Sequence, residues 1–122
     1  MNIKMMVLNG TILALAAMCS TAALAHAAVV QSIPHQGAHL STPPREVNIV
    51  FSERVEKQFT TAVLTNAAGT VVATEKSQLD AANPALLRLA LPVLKPGAYV
   101  IAWTAVGRDG HRRKGNINFS VN

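Results

Sequence analysis

The chain has 122 residues, a formal net charge of +5 and one cysteine, and its length corresponds to one small domain. A lone cysteine excludes an internal disulfide framework, and no aromatic residues are interleaved with the basic residues, so nucleic acid is not expected as a partner. The chain also lacks a nucleophile paired with a base and an orienting residue, and it lacks a glycine-rich phosphate-binding loop. We therefore expect no enzymatic activity.

The first 25 residues predict a bacterial secretory signal peptide. A lysine near the start precedes an apolar run over residues 12–18, and small residues follow as far as Ala25. The apolar run is too short for a membrane-spanning helix. Cleavage after Ala25 would export a single domain, residues 26–122, that begins with His26 in the periplasm. This domain contains no methionine or cysteine, because every sulfur-containing side chain lies in the removed segment.

The exported part predicts an all-β sandwich, because short β-rich segments alternate with turn signals about every ten residues. Alternating apolar residues in these segments indicate a shared core that includes Trp103. Tyr99, close after a Lys-Pro-Gly turn, is predicted to bond back to the chain through its hydroxyl group. The seven predicted strands are Ala28–Ile33, Glu46–Phe51, Phe59–Thr65, Thr70–Glu75, Leu86–Leu91, Ala98–Val106 and Lys114–Val121.

Strand count predicts which loops meet. If each of the seven strands crosses the sandwich once, the start of the first strand shares one end with the loops after the second, fourth and sixth strands. His35 and His39, in the loop after the first strand, then lie at the opposite end. The shared end carries His26, Glu53, Asp109 and His111.

These residues predict a copper site. Asp109 and His111 flank Gly110 in one turn, and a terminal His26 would add both an amine and an imidazole. Two imidazoles, an amine with a free pKa near 8 and a carboxylate suit tetragonal Cu(II), with one ion per chain. Glu53 would hold an imidazole or the bound amine from outside the ligand set. Two simpler interpretations remain open, since Asp-Gly is an ordinary turn pair and Glu53 fits a solvated loop.

A basic run surrounds the predicted site loop and comprises Arg108, Arg112, Arg113 and Lys114. Its simplest interpretation is a solvated rim. Such a rim would oppose the capture of free cations and would favour an anionic surface as a docking partner.

Several segments resemble the CopC family of periplasmic copper-binding proteins, and the resemblance covers the whole exported length. Besides the histidine after the cleavage site, it rests on Ser32-Ile33-Pro34 with Gly37, on Phe51-Ser52-Glu53, on residues 94–103 (LKPGAYVIAW) and on Asp109-Gly110-His111 with Gly115.

The resemblance implies a Greek-key, immunoglobulin-like β-sandwich or barrel that acts as a monomer in copper homeostasis or resistance. It implies His26, Asp109 and His111 as Cu(II) ligands and Glu53 as a supporting carboxylate. Some family members carry a second, methionine-rich Cu(I) site, whereas residues 26–122 have no methionine, which implies a Cu(II)-only protein. It further implies copper delivery or import beside a CopD-type inner-membrane protein.

Two other classes of function stay open at this point. A histidine-brace copper oxidase acting on a polymer would also begin with a metal-binding histidine, and ascorbate-driven peroxide formation or glycan cleavage would reveal it. A structural immunoglobulin-like module would bind no metal, which a metal titration would show.

The position at which the signal peptide is cleaved provides the first test of the predicted copper site. Residues 25–27 (Ala-His-Ala) also form a cleavage pattern, so cutting after Ala27 would remove His26. We expect cleavage after Ala25, because small residues occupy both recognised positions and this cut leaves the terminal histidine that the copper site requires. Intact-mass measurement of the exported protein should therefore give a chain that starts at His26. A chain that starts at Ala28 would rule out the copper site.

Overall fold

The computed structural model describes residues 26–73 and 75–122, and in these ranges the fold is all-β. The predicted signal peptide lies outside the described residues. Within them, no helix is long and apolar enough to cross a membrane. The strands are β1 (Val29–Ile33), β2 (Ala38–Leu40), β3 (Glu46–Phe51), β4 (Thr61–Asn66), β5 (Gln78–Leu79), β6 (Leu86–Ala90), β7 (Gly97–Val106) and β8 (Arg112–Val121).

Two four-stranded sheets form a β-sandwich, with strand orders β1-β3-β6-β5 and β2-β8-β7-β4. Successive side chains of a strand point to opposite faces of its sheet, so the alternating apolar residues of each strand reach one interior. Full burial contributes about 1.5–3 kcal/mol for each large aliphatic side chain. The largest fully buried side chains are Val47, Ile49, Leu64, Leu87, Leu89 and Ile101.

Both aromatic predictions on β7 are confirmed. The Tyr99 hydroxyl donates a hydrogen bond to the carbonyl oxygen of Lys95 at 2.5 Å, which fixes the turn that leads into β7. Trp103 is 9% exposed and meets Phe51 edge-on, with ring centroids 5.5 Å apart. This contact joins β3 of one sheet to β7 of the other.

The predicted count of seven strands is wrong, since the described residues form eight. The short strands β2 and β5 were missed because two or three residues carry too little alternation to be recognised. Thr70–Glu75 was predicted as a strand, but its described residues form only an isolated bridge between Val71 and Thr65. The Asn66 side chain instead accepts hydrogen bonds from the amides of Ala68 and Thr70, which favours a local turn over a longer ladder.

The predicted grouping of loops is nevertheless correct. β1 and β2 run in the same direction and together cross the sandwich once. β1 is antiparallel to β3, and β2 is parallel to β8, which itself runs opposite to β3. Asn66, opposite Tyr99, donates to the carbonyl oxygen of Thr70, whereas Leu79 of β5 pairs with Leu87 of β6, so the described residues between 70 and 79 likewise lead across the sandwich once. Val29 pairs with Phe51 and Val55 bridges Gly107, so the start of β1 lies beside the ends of β3 and β7. We call this end of the sandwich, where β8 also begins, the His26 end.

Gly115 of β8 lies under the Trp103 ring, and a Cβ atom there would come within 2.5–2.8 Å of three ring atoms. We expect Gly115→Ala to lower the free energy of unfolding by about 1–3 kcal/mol, because the tryptophan must shift in a packed core. Urea denaturation followed by the fluorescence of Trp103, the only tryptophan, measures this change. The exposed neighbour Asn116 provides the control as Asn116→Ala, and equal stability of the two variants would contradict the prediction.

Candidate metal centre

The segment that carries His26 is fastened to the end of β3 by Ser52. The Ser52 hydroxyl oxygen accepts a hydrogen bond from the amide of Ala28 at 3.0 Å and lies 3.4 Å from the carbonyl oxygen of His26, to which it donates. The Ser52 amide in turn donates to the carbonyl oxygen of Ala28 at 2.7 Å. The backbone of His26 is therefore held beside β3 before any metal enters.

The turn between β7 and β8 positions Asp109 and His111. The amide of Gly110 donates to the carbonyl oxygen of Gly107 at 3.0 Å, and Gly110 adopts a φ of 77°, a conformation that side chains other than glycine disfavour. The Asp109 carboxylate accepts a hydrogen bond from the amide of His111 at 3.0 Å. This local ring of contacts directs both side chains toward the start of β1.

One carboxylate oxygen joins the two histidines. Asp109 Oδ2 lies 3.0 Å from Nδ1 of His26 and 2.9 Å from Nδ1 of His111. The two imidazole rings meet edge to face, with centroids 4.9 Å apart. One candidate ligand atom from each of the three residues lies within 4.8 Å of the other two, a spacing that a single ion can span.

The backbone amide of His111, together with its imidazole, lowers the pKa of Asp109 to about 2. The carboxylate is therefore ionised at every physiological pH and can only accept hydrogen bonds. In this arrangement Nδ1 of each histidine must carry the proton. The cluster is a set of two imidazoles arranged around an anionic oxygen, and such a set suits copper, zinc, iron or nickel.

Glu53 reaches the same turn from the end of β3. Its Oε1 atom is buried and has no hydrogen-bond partner among the described residues. A Cβ atom at position 107 would collide with this oxygen and would lie 3.3 Å from Asp109 Oδ1, so a side chain there would displace the Glu53 carboxylate. A buried carboxylate oxygen without a donor is costly. The site thus contains an acceptor that a further donor would satisfy.

The four predicted site residues all lie at the His26 end, and three of them form the cluster. His35 and His39 lie at the opposite end, as predicted, where His39 Nδ1 contacts the Ser120 hydroxyl at 2.7 Å. Sequence reasoning assigned no role to Ser52 or Gly107. A serine after a strand and a glycine before a turn are too common to indicate one, since their importance depends on contacts across the sandwich.

The fold and the cluster together define a small β-sandwich domain with a candidate metal site at one end. Comparison with known proteins identifies the family. Residues 29–122 match the family model of the CopC domain. The chain therefore belongs to the CopC family of copper-binding and copper-resistance proteins. These are copper-binding and transport proteins and not enzymes, which agrees with the expectation from the sequence and leaves the oxidase alternative without support.

Two relatives illustrate the range of the family. The chain is 35% identical over 98 residues to the copper transport protein CutJ of Bacillus subtilis, covering 80% of this chain but only 18% of that protein. It is 33% identical over 98 residues to the protein YobA of Escherichia coli K12, covering 80% and 79% of the two chains.

Solved structures agree with the fold. CopC from Methylosinus trichosporium OB3b superposes with a TM-score of 0.74 at 28% identity, covering 80% of this chain and 94% of that one. PcoC, a methionine-rich copper resistance protein from Escherichia coli, gives a TM-score of 0.71 at 27% identity, covering 80% and 100%. The all-β sandwich predicted from the sequence is confirmed.

Proposed function

We propose that the domain 26–122 binds one Cu(II) ion per chain through His26, Asp109 and His111, and that it sequesters or delivers copper in the periplasm. The observation that carries the proposal is the convergence of these three side chains within 4.8 Å, at the end of the sandwich where the exported chain would begin. Membership of the CopC family indicates that the metal is copper, because members of this family bind copper.

The terminal amine of His26 is proposed as the fourth ligand. An amine and an imidazole of one residue close a chelate ring through Nδ1, and Nδ1 is the His26 nitrogen that faces Asp109. Because Ser52 already holds the backbone at this position, little ordering remains to be done when the metal binds. Three nitrogens and one oxygen then favour Cu(II), which heads the divalent affinity order.

Glu53 is proposed to stabilise the bound amine. Its buried Oε1 lacks a donor among the described residues, and an amine coordinated to a metal offers N–H groups that can supply one. This interaction would also explain why a carboxylate is kept in a partly buried place beside Gly107.

Copper is proposed to bind as Cu(II) because the domain 26–122 has no sulfur ligand. Cu(I) prefers thiolates and thioethers, whereas Cu(II) accepts imidazole, amine and carboxylate. The methionine-rich character of the solved relative PcoC has no counterpart in these residues. A single Cu(II) site is therefore the simplest proposal for this domain.

Delivery to a membrane protein of the CopD type is proposed for two reasons. The side chain of His111 is 68% exposed, so an acceptor can reach the site without opening the fold. The matched region also makes up only 18% of the copper transport protein CutJ, so in that protein a domain similar to this one is joined to a much longer chain.

A ligand series tests the proposed site. One extra residue before His26 moves the amine but keeps every side chain, and it should weaken Cu(II) binding on the order of a thousandfold, which is about 4 kcal/mol. His111→Ala should have a similar effect, and Asp109→Ala a smaller one because water can replace an oxygen ligand. Competition titration against Cu(II) chelators measures these affinities.

The matched control for this series is the double variant His35→Ala with His39→Ala, which should leave Cu(II) affinity unchanged. All variants should stay folded without metal, because the core does not depend on the site. If the extended protein binds Cu(II) as tightly as the native one, the terminal amine is not a ligand.

Glu53 has a matched control on the same loop. Glu53→Gln should weaken Cu(II) binding about 10- to 100-fold, because the bound amine loses a charged acceptor. Glu56→Gln removes the same charge from an exposed side chain and should change the affinity little. Equal effects of the two substitutions would mean that Glu53 acts only through its charge at a distance.

Oxidation state is tested separately. Cu(II) should bind far more tightly than Cu(I), with one ion per chain, because the amine and the carboxylate favour the harder ion. Competition against chelators specific for each oxidation state measures the preference. Tight retention of Cu(I), or two equivalent Cu(II) ions, would contradict the single-site proposal.

A further inference from the structure

A cluster of positive charge lies in the segments that adjoin the candidate metal ligands along the chain. We call it the cationic rim. Among the described residues it takes up six of the ten lysine and arginine side chains of the domain 26–122, and all six are exposed. The rim consists of Arg54, Lys57, Arg108, Arg112, Arg113 and Lys114.

Carboxylates at the same end offset only part of this charge. None of the rim residues forms an ion pair within residues 26–73 and 75–122. At the same end, Asp80 pairs with Arg88, which is outside the rim, and Asp109 is engaged by the two histidines. Glu53 and Glu56 form no ion pair among the described residues, so their two charges are the remaining negative ones against the six positive charges of the rim.

The rim lies very close to the ligands. Arg54 follows Glu53, and Arg108 and Arg112 directly flank the Asp109–His111 turn. Arg54, Lys57 and Arg108 also line one groove of about 680 Å³, together with the acidic residues Glu56 and Asp80. A second depression is lined by Arg108 and Arg112 beside the exposed ring of Phe59. Glu56 lines this second depression as well, and in both depressions the basic side chains outnumber the acidic ones. Arg108 lies in both linings and directly precedes Asp109, so a small polar molecule beside the site meets more positive than negative charge.

This field acts differently on different forms of copper. A hydrated or amine-bound Cu(II) cation is repelled as it approaches the rim, whereas a negatively charged copper complex is attracted. Charge arranged in this way changes association rates by about 10- to 1000-fold at low ionic strength. The ligand residues would then determine which metal binds, and the residues of the cationic rim would determine which copper complex arrives.

We propose that copper reaches this site as an anionic carboxylate chelate of Cu(II) and not as a free cation. The proposal rests on the proposed function, since it names the form in which the metal arrives. Transfer is a ligand exchange without redox chemistry. The carboxylate–copper bonds break as bonds to the amine, the two imidazoles and Asp109 form, and copper stays Cu(II). The amine proton passes to solvent, and a proton displaced from a coordinating Nδ1 is replaced, through solvent, by one on Nε2 of the same ring. The chelator leaves as a free anion through the cationic rim.

Stopped-flow loading kinetics test this proposal on the protein with its native His26 start. Copper is supplied as its nitrilotriacetate complex, which is anionic, as the neutral bis-glycinate complex, or as the cationic ethylenediamine complex. The triple variant Arg108→Gln, Arg112→Gln, Arg113→Gln should load from the nitrilotriacetate complex on the order of tenfold more slowly at about 10 mM ionic strength, where the Debye length is about 30 Å. It should load faster from the ethylenediamine complex and at a similar rate from bis-glycinate.

The control variant Arg45→Gln, Lys76→Gln, Lys95→Gln removes the same net charge away from the His26 end. Its loading rates should stay close to those of the native protein, and raising the salt concentration should abolish the differences between all three proteins. The proposal is overturned if the rim variant loads from nitrilotriacetate at the native rate, or if the control slows equally.

Equilibrium titration of the same samples separates the two proposals. If the native protein takes up no Cu(II) from bis-glycinate at equilibrium, the proposed function itself has failed. If one ion binds but its rate of arrival is insensitive to the rim, only the inference about the incoming complex has failed.

Discussion

Pairing of β1 with β3 is the constraint on which the metal centre depends. Val29 opposite Phe51 and the clasp of Ser52 on Ala28 place the residue before β1 at the point where β3 and β7 end. Without this register the backbone of His26 would not meet the turn between β7 and β8, because Asp109 is 83 residues away along the chain. A site assembled over such a sequence separation exists only in the folded sandwich.

The sequence predicts the sandwich because the core residues of its longer strands alternate with exposed residues. Alternation in β3, β6, β7 and β8 was strong enough to indicate the inward faces, and the buried residues Ile49, Leu89 and Ile101 follow it. Short strands carry no such signal, so β2 and β5 were missed and Thr70–Glu75 was overestimated. The predicted direction of each later strand is still correct, because β2 and β5 each continue a crossing that the seven-strand prediction already includes.

The candidate site was predictable in position but not in detail. Counting crossings was sufficient to bring His26, Glu53, Asp109 and His111 to one end and to send His35 and His39 to the other. Shared use of Asp109 Oδ2 by both imidazoles, and the buried oxygen of Glu53 over Gly107, depend on distances of a few ångströms between loops. No one-dimensional pattern encodes those distances. The role of these residues as copper ligands stays a proposal.

The hydrogen bonds that Asp109 makes to both histidines have a consequence for recognition. Without metal, the carboxylate already holds the two rings close together through their protons. In the proposed complex, copper would take the place of those protons within the same frame of turn and strand. Empty and loaded domains would then share one shape and differ mainly in charge at the His26 end. A partner that must tell them apart would then have to sense that charge.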